Sequence, residues 1–198
     1  MSVLALDLSK TSTGWALWRD GWEAPRFGRW KLGGEYSTPG DVFLKLQERM
    51  HELRMIDRYE RVVIEEPINP GQLQGHTTIN TIRLAIGLAS HAESYAKAMR
   101  CQYREINVGT WRADFIGRGE VSGIRKAIRD KAKQTGKKVS ATDSLKDATM
   151  LRCRQFGWKP RNNDEGDALG LIDYDLCLSG VQTPWRMAEI LQPMAGVK

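Results

Sequence analysis

Two short apolar runs that each stop on carboxylates constrain this chain most: VLALD at 3–7 and VVIEE at 62–66. Both are β-branched or aliphatic throughout and too short to be helices, and Pro67 closes the second, so each reads as a buried strand with acids at its end. The first run opens a set of three. STGWALWRD and FGRWKL follow it with turn residues between, which predicts an antiparallel meander.

The rest of the chain is mainly helical in pattern. Val42, Leu44, Leu46, Met50 and Leu53 place a first helix over about 41–55. After a loop at 68–76, Ile79, Ile82, Ile86, Ala89, Ala92, Ala96 and Met99 recur at three- and four-residue steps, which predicts the longest helix over 77–100. CQYREINV reads as another strand and TWRADFIG as a short helix. Further helices are expected within 119–142, over 144–156 with a serine cap, and over 163–178. Three strands, helix, strand, helix, strand and then helices make an α/β domain with a mixed central sheet. The domain is expected to occupy 1–180, with a C-terminal tail at 181–198.

Several classes fall away early. No apolar run approaches the roughly 20 residues needed to span a bilayer, and the N-terminus lacks the basic segment and cleavage site of an export signal. No membrane partner is expected, and the cytoplasm is the expected location. Cys101, Cys153 and Cys177 are odd in number and far apart, which fits neither a disulfide framework nor a zinc site. His51, His76 and His91 have no ligand spacing.

The net charge is +6, but it is unevenly spread. Residues 118–161 hold 13 Lys or Arg against four Asp or Glu, a local excess of nine, so the remainder carries a net −3. A basic block of that density is either a solvated face or the footprint of a polyanion partner, nucleic acid above all. Arg125, Lys126, Arg129, Lys131 and Lys133 are its closely spaced centre and the candidate DNA contacts.

Three separated segments supply acids: Asp7, Glu65, and the pair Asp164 and Asp167. Residues three apart on a helix are neighbours, and Asp164 leads Ala168 and Ile172 while Asp167 leads Leu171, so both are expected to face the sheet. Asp173 lies on the opposite side of that helix, and Asp175 about 16 Å further along its axis. Taken singly, a strand-end acid or an acid in a first helical turn is an ordinary structural residue. Gathered, four carboxylates repel unless cations neutralise them, and hard oxygen donors favour Mg²⁺ or Mn²⁺. Two such ions imply phosphoryl chemistry.

The series Asp7, Thr13-Gly14-Trp15, VVIEEP and NNDEGDALGL resembles the RuvC-type Holliday-junction resolvases, especially their phage and prophage relatives, over roughly residues 3–178. TWRADFIG and SLKDATMLRC are similar to the phage-type members too. The resemblance implies a ribonuclease H-like fold and an Mg²⁺- or Mn²⁺-dependent endonuclease with two ions held by Asp7, Glu65, Asp164 and Asp167. It further implies branched DNA as substrate and a homodimer as the working form, in recombination, repair or phage DNA processing. Lys126 and Lys146 resemble lysines near the scissile phosphate in that family. Glu66 would face away from Glu65 on a strand, and the motif match selects Glu65.

The family commonly places an aromatic wedge three residues after its glutamate, where this chain has Ile68. Ile68 either inserts at the crossover or packs on its own domain. The helix over 77–100 is either a dimer interface or internal to one chain. Three other readings stay open: a nuclease for RNA-DNA hybrids or flaps, an actin- or hexokinase-like phosphotransferase that would share a D-x-(G/S)-x-T opening at Asp7, Ser9 and Thr11, and a non-catalytic DNA-binding scaffold.

Overall fold

The structure is a computed structural model that describes residues 1–67, 78–136 and 140–191. Among these, five strands and seven helices form in the order β1 (Ser2–Asp7), β2 (Thr13–Arg19), β3 (Arg26–Trp30), α1 (Pro39–Ile56), β4 (Arg61–Glu65), α2 (Ile79–Ala98), β5 (Gln102–Ile106), α3 (Val108–Ile116), α4 (Arg118–Thr135), α5 (Thr142–Gln155), α6 (Asn163–Leu178) and α7 (Pro184–Leu191). The strands make one mixed sheet in the order β3-β2-β1-β4-β5. β1, β2 and β3 are the expected antiparallel meander, and β4 and β5 add in parallel beside β1. Because β1 and β4 run parallel as neighbours, their C-terminal residues Asp7 and Glu65 emerge at the same end of the sheet.

Both faces of the sheet are covered, as parallel pairing requires. Leu4, Leu6, Val62 and Ile64 pack on α1 and α2 through Leu46, Met50, Leu88 and Ala92. The alternate residues Val3, Ala5 and Val63 pack on the other side with Ala168, Leu169, Ile172 and Trp111. Helix α6 therefore lies directly on the sheet, and its first turn comes to the strand ends that carry the acids.

Local signals explain most boundaries. Thr38 caps α1 in a reciprocal capping box with Asp41, and Pro39 stands at the helix start, where its missing N–H costs nothing. Asn162 caps α6 by accepting from the Glu165 N–H at 2.9 Å. Two expectations need correction. Helix α5 opens after Ala141 with no side-chain cap, so Ser144 sits inside the helix instead of capping it. Within the expected tail, residues 184–191 form α7, and Trp185 is buried with its Nε1 donating to Asp173 at 2.6 Å. The expectation for Ile68 lies outside the described residues.

A candidate active site of four carboxylates

One glycine decides how close α6 comes. Gly14 pairs with Asp7 across β1 and β2, and a Cβ on it would stand 1.9 Å from the Asp164 carbonyl oxygen. No other residue leaves room for the backbone of Asp164 against the strand, which gives the Thr13-Gly14-Trp15 motif a steric cause. The turn before it is fixed by Thr13, fully buried, whose Oγ1 donates to the Ser9 carbonyl at 2.6 Å and accepts from the Ser9 N–H at 3.1 Å. That turn aims Ser12 at α6, where its hydroxyl donates to Asp164 Oδ2.

The four acids come together. Burial, and after it the negative charges of Asp167, Glu65 and Asp164, push the Asp7 carboxyl well above the usual carboxylate range, with Lys146 pulling the other way. Burial is also the main cause that raises Glu65, to about 7; Arg112 opposes it and Asp167 adds to it. Asp167, 4% exposed, is raised by burial against the opposing pull of Arg112 and Lys146. At Asp7, Glu65 and Asp167 neighbouring carboxylates thus disfavour the ionised form, so the cluster as it stands lacks positive charge. Glu66 is exposed and accepts from Asn107 Nδ2 at 3.1 Å, away from this group.

Two cations from other helices partly supply that charge. Arg112, on α3, donates from Nη2 to Asp167 Oδ2 at 2.7 Å. Lys146, on α5, acts on Asp7, Glu65 and Asp167. Sequence alone singles out Lys146 but not Arg112, whose one sequence signal is a basic residue inside TWRADFIG. The remaining basic candidates, Arg125, Lys126, Arg129, Lys131 and Lys133, sit on α4, where Val121 is the one buried residue among those described. Arg118, Arg125 and Arg129 line an open cavity of about 530 Å³ on that helix.

Asp173 and Asp175 stay out of the site, as the helix geometry predicts, but neither is idle. Both are fully buried. Asp175 pairs with Arg61 at 2.9 Å and Arg104 at 2.5 Å, tying α6 to β4 and β5, and Asp173 pairs with Arg186 at 2.7 Å. His51 and His91 have structural contacts, with the Tyr95 hydroxyl and Gln47 respectively, each at 3.2 Å.

Among the described residues, no three His, Cys, Asp or Glu side chains stand in ligand geometry around one point. The donors nonetheless suit a hard cation. They are carboxylate oxygens, and Asp167 Oδ1 is buried without any hydrogen-bond partner, which is costly unless a positive ligand meets it.

No protein-family model matches the sequence, and no curated protein matches it. Solved structures do match in shape. RuvC of Thermus thermophilus superposes with a TM-score of 0.58 at 16% identity, covering 93% of this chain and 99% of that one. T. thermophilus RuvC in complex with a Holliday junction substrate gives 0.58 at 14% identity, with the same coverage. The yeast mitochondrial Holliday junction resolvase Ydc2 gives 0.42 at 14% identity, covering 90% of this chain and 84% of that one. With the sheet order and the placement of α6, the two RuvC superpositions establish that this chain has the ribonuclease H-like fold.

Proposed function

We propose that this protein is a metal-dependent endonuclease that resolves four-way and other branched DNA junctions. The observation that carries the reading is the convergence of Asp7, Glu65, Asp164 and Asp167, from two parallel strand ends and one helix start, in a fold shared with RuvC. Asp7, Glu65, Asp164 and Asp167 would hold two Mg²⁺ or Mn²⁺ ions, which when bound supply Lewis acidity at a phosphodiester and a more acidic water.

The chain's own residues account for the remaining work. Ser12 holds the Asp164 carboxylate in one orientation and Arg112 does the same for Asp167, so two acids on one helical turn are each fixed by a residue from another segment. Lys146 and Arg112 put positive charge beside the acids, where a phosphate must approach four carboxylates. The α4 cations, Lys126 among them, supply contacts further along the backbone of the DNA, which set affinity and register.

A four-way junction has approximate two-fold symmetry, and paired cuts call for two active sites in one C2 homodimer. Helix α2, with Ile79 80% and Ile86 44% exposed, is the candidate interface. Among the described residues, no helix is long and apolar enough to cross a membrane. We place the protein in the cytoplasm, in recombination, repair or phage DNA processing.

The test is incubation with a mobile four-way junction, a flap and an RNA-DNA hybrid in Mg²⁺, resolved on a denaturing gel. Junction cutting that exceeds the other two supports the reading; preference for the hybrid selects a ribonuclease instead.

A further inference from the structure

Helix α3 brings a second residue to the acids beside Arg112. Trp111 is fully buried in the core on the α6 side of the sheet, with Val3, Ala5 and Val63. Side chains alternate along a strand, so Asp7, two residues after Ala5, and Glu65, two after Val63, belong to that same face. The chain also starts α3 close by: Ile106 of β5 pairs with Glu65, and the helix opens at Val108.

The indole ring has little freedom. A Cβ on Gly170 of α6 would stand 2.5 Å from it, so the ring sits against a backbone with no side chain between. The Arg112 guanidinium lies over the ring, 4.9 Å from its centroid, where the π-face attracts a cation. Among the described residues, Trp111 Nε1, Arg112 Nε and Asp167 Oδ1 are all buried without a hydrogen-bond partner. Such atoms are few in native folds, and each is costly. Glu65 is the acid that the Trp111 N–H acts on. Burial raises this carboxyl most, and the N–H joins Arg112 in drawing it back down, without reaching full hydrogen-bond geometry. Trp158 is the contrast: its Nε1 is also buried without a partner, but its ring is stacked on Phe115 and edge-on to Trp185.

We propose that Trp111 is a positioning residue of the nuclease site: its indole N–H holds the Glu65 carboxylate, and its ring face seats the guanidinium that holds Asp167. Two acids from different elements are then set by neighbouring residues of one helix, which deepens the nuclease reading and rests on it. Groups that orient metal-binding carboxylates in this way are commonly worth about 10- to 100-fold in activity or metal affinity.

The first test is the nitrogen-15 indole spectrum of the metal-free, full-length protein at pH 8, where Glu65 is ionised, with its seven tryptophans assigned in the wild type. Glu65→Gln should move the Trp111 signal further than that of any other tryptophan, and the Trp158 signal should stay near its wild-type position. A Trp111 signal that moves no further than that of Trp158 overturns the proposal. The second test is single-turnover cleavage of a four-way junction in saturating Mg²⁺. Trp111→Phe keeps a ring for Arg112 but no N–H, and should cut about tenfold more slowly than wild type with junction affinity within about twofold. Trp111→Leu removes the ring as well and should be slower again. Trp158→Phe, a like truncation in the same core, should cut at the wild-type rate. A wild-type rate in Trp111→Phe, a Trp111→Leu no slower than it, or an equal slowing in Trp158→Phe overturns the proposal. The spectrum needs no DNA and no substitution at 111, so it decides the contact even where the Trp111 variants fail to fold. A wild type that cuts no junction counts against the nuclease reading alone.

Discussion

Arg112 donates to Oδ2 of Asp167 at 2.7 Å while Oδ1 of the same carboxylate is buried with no partner. One oxygen is thus held by α3 and the other is left without a hydrogen-bond partner. A group required to be both oriented and free to bind a cation has this arrangement.

Arg112→Gln should cost about 3 kcal/mol of stability, since it leaves a buried carboxylate unpaired. Arg112→Lys, which keeps charge but not the guanidinium fork, should recover part of that loss. Thermal unfolding without metal checks both. Equal stability of Arg112→Gln and wild type would mean that Asp167 does not depend on the pair.

Metal-free protein should become less stable as pH rises from about 4.5 to about 7. Asp7, Glu65 and Asp167 all have folded-state pKa values raised above their ordinary ones, and Glu65 reaches about 7. In that window the native state holds protons that the unfolded chain has released, so stability falls with rising pH. Cation binding needs the ionised acids and relieves their repulsion. Mg²⁺ at about a hundred times its Kd should therefore raise Tm by about 5–10 °C at pH 8, and by clearly less at pH 5.5. A shift equal at both pH values would contradict this.

Gly14→Ala should destabilise the fold by about 2 kcal/mol or more, because its Cβ would overlap the Asp164 backbone. Cleavage should fall further than stability accounts for, since the displaced residue is one of the four acids. Gly34→Ala, where a Cβ meets nothing within 4 Å, is the control and should be near neutral. Denaturant titrations and cleavage rates separate the two.

Charge reversal of Arg125, Lys126 and Arg129 together should weaken junction binding and flatten its dependence on salt, by about 0.9 in log-log slope for each phosphate that is no longer neutralised. These residues are on a helix with little buried surface, so folding should be unaffected. An unchanged slope would place the DNA surface elsewhere.

The fold is largely legible in the sequence because its signals are local. Asn163–Leu178 is the helix that the 163–178 pattern predicts, and the acids at 7, 65, 164 and 167 stand out because each sits at a strand end or helix start. What stays hidden depends on contacts between distant segments. Arg112 is one basic residue among many until α3 packs on α6. Asp175 reads as a harmless helix acid, yet it is fully buried between two arginines, so Asp175→Asn is no clean control for cleavage: it breaks buried pairs and should destabilise the protein. Trp185 is anchored by Asp173, twelve residues earlier, a pairing that no local periodicity reveals.

If the four converging acids cut DNA at a branch, Asp7→Asn and Asp167→Asn should each abolish cleavage of a mobile four-way junction in Mg²⁺ while junction binding persists, because the phosphate contacts proposed for α4 are separate from these acids. The most direct measurement compares wild type and these two variants, at equal concentration, on the junction and on linear duplex of the same sequence. Wild type should make paired cuts on junction strands of like polarity and cut the duplex little, and neither variant should cut at all. Substantial cutting by both variants at saturating Mg²⁺, or duplex cleavage as fast as junction cleavage, would contradict a branch-specific nuclease built on these acids.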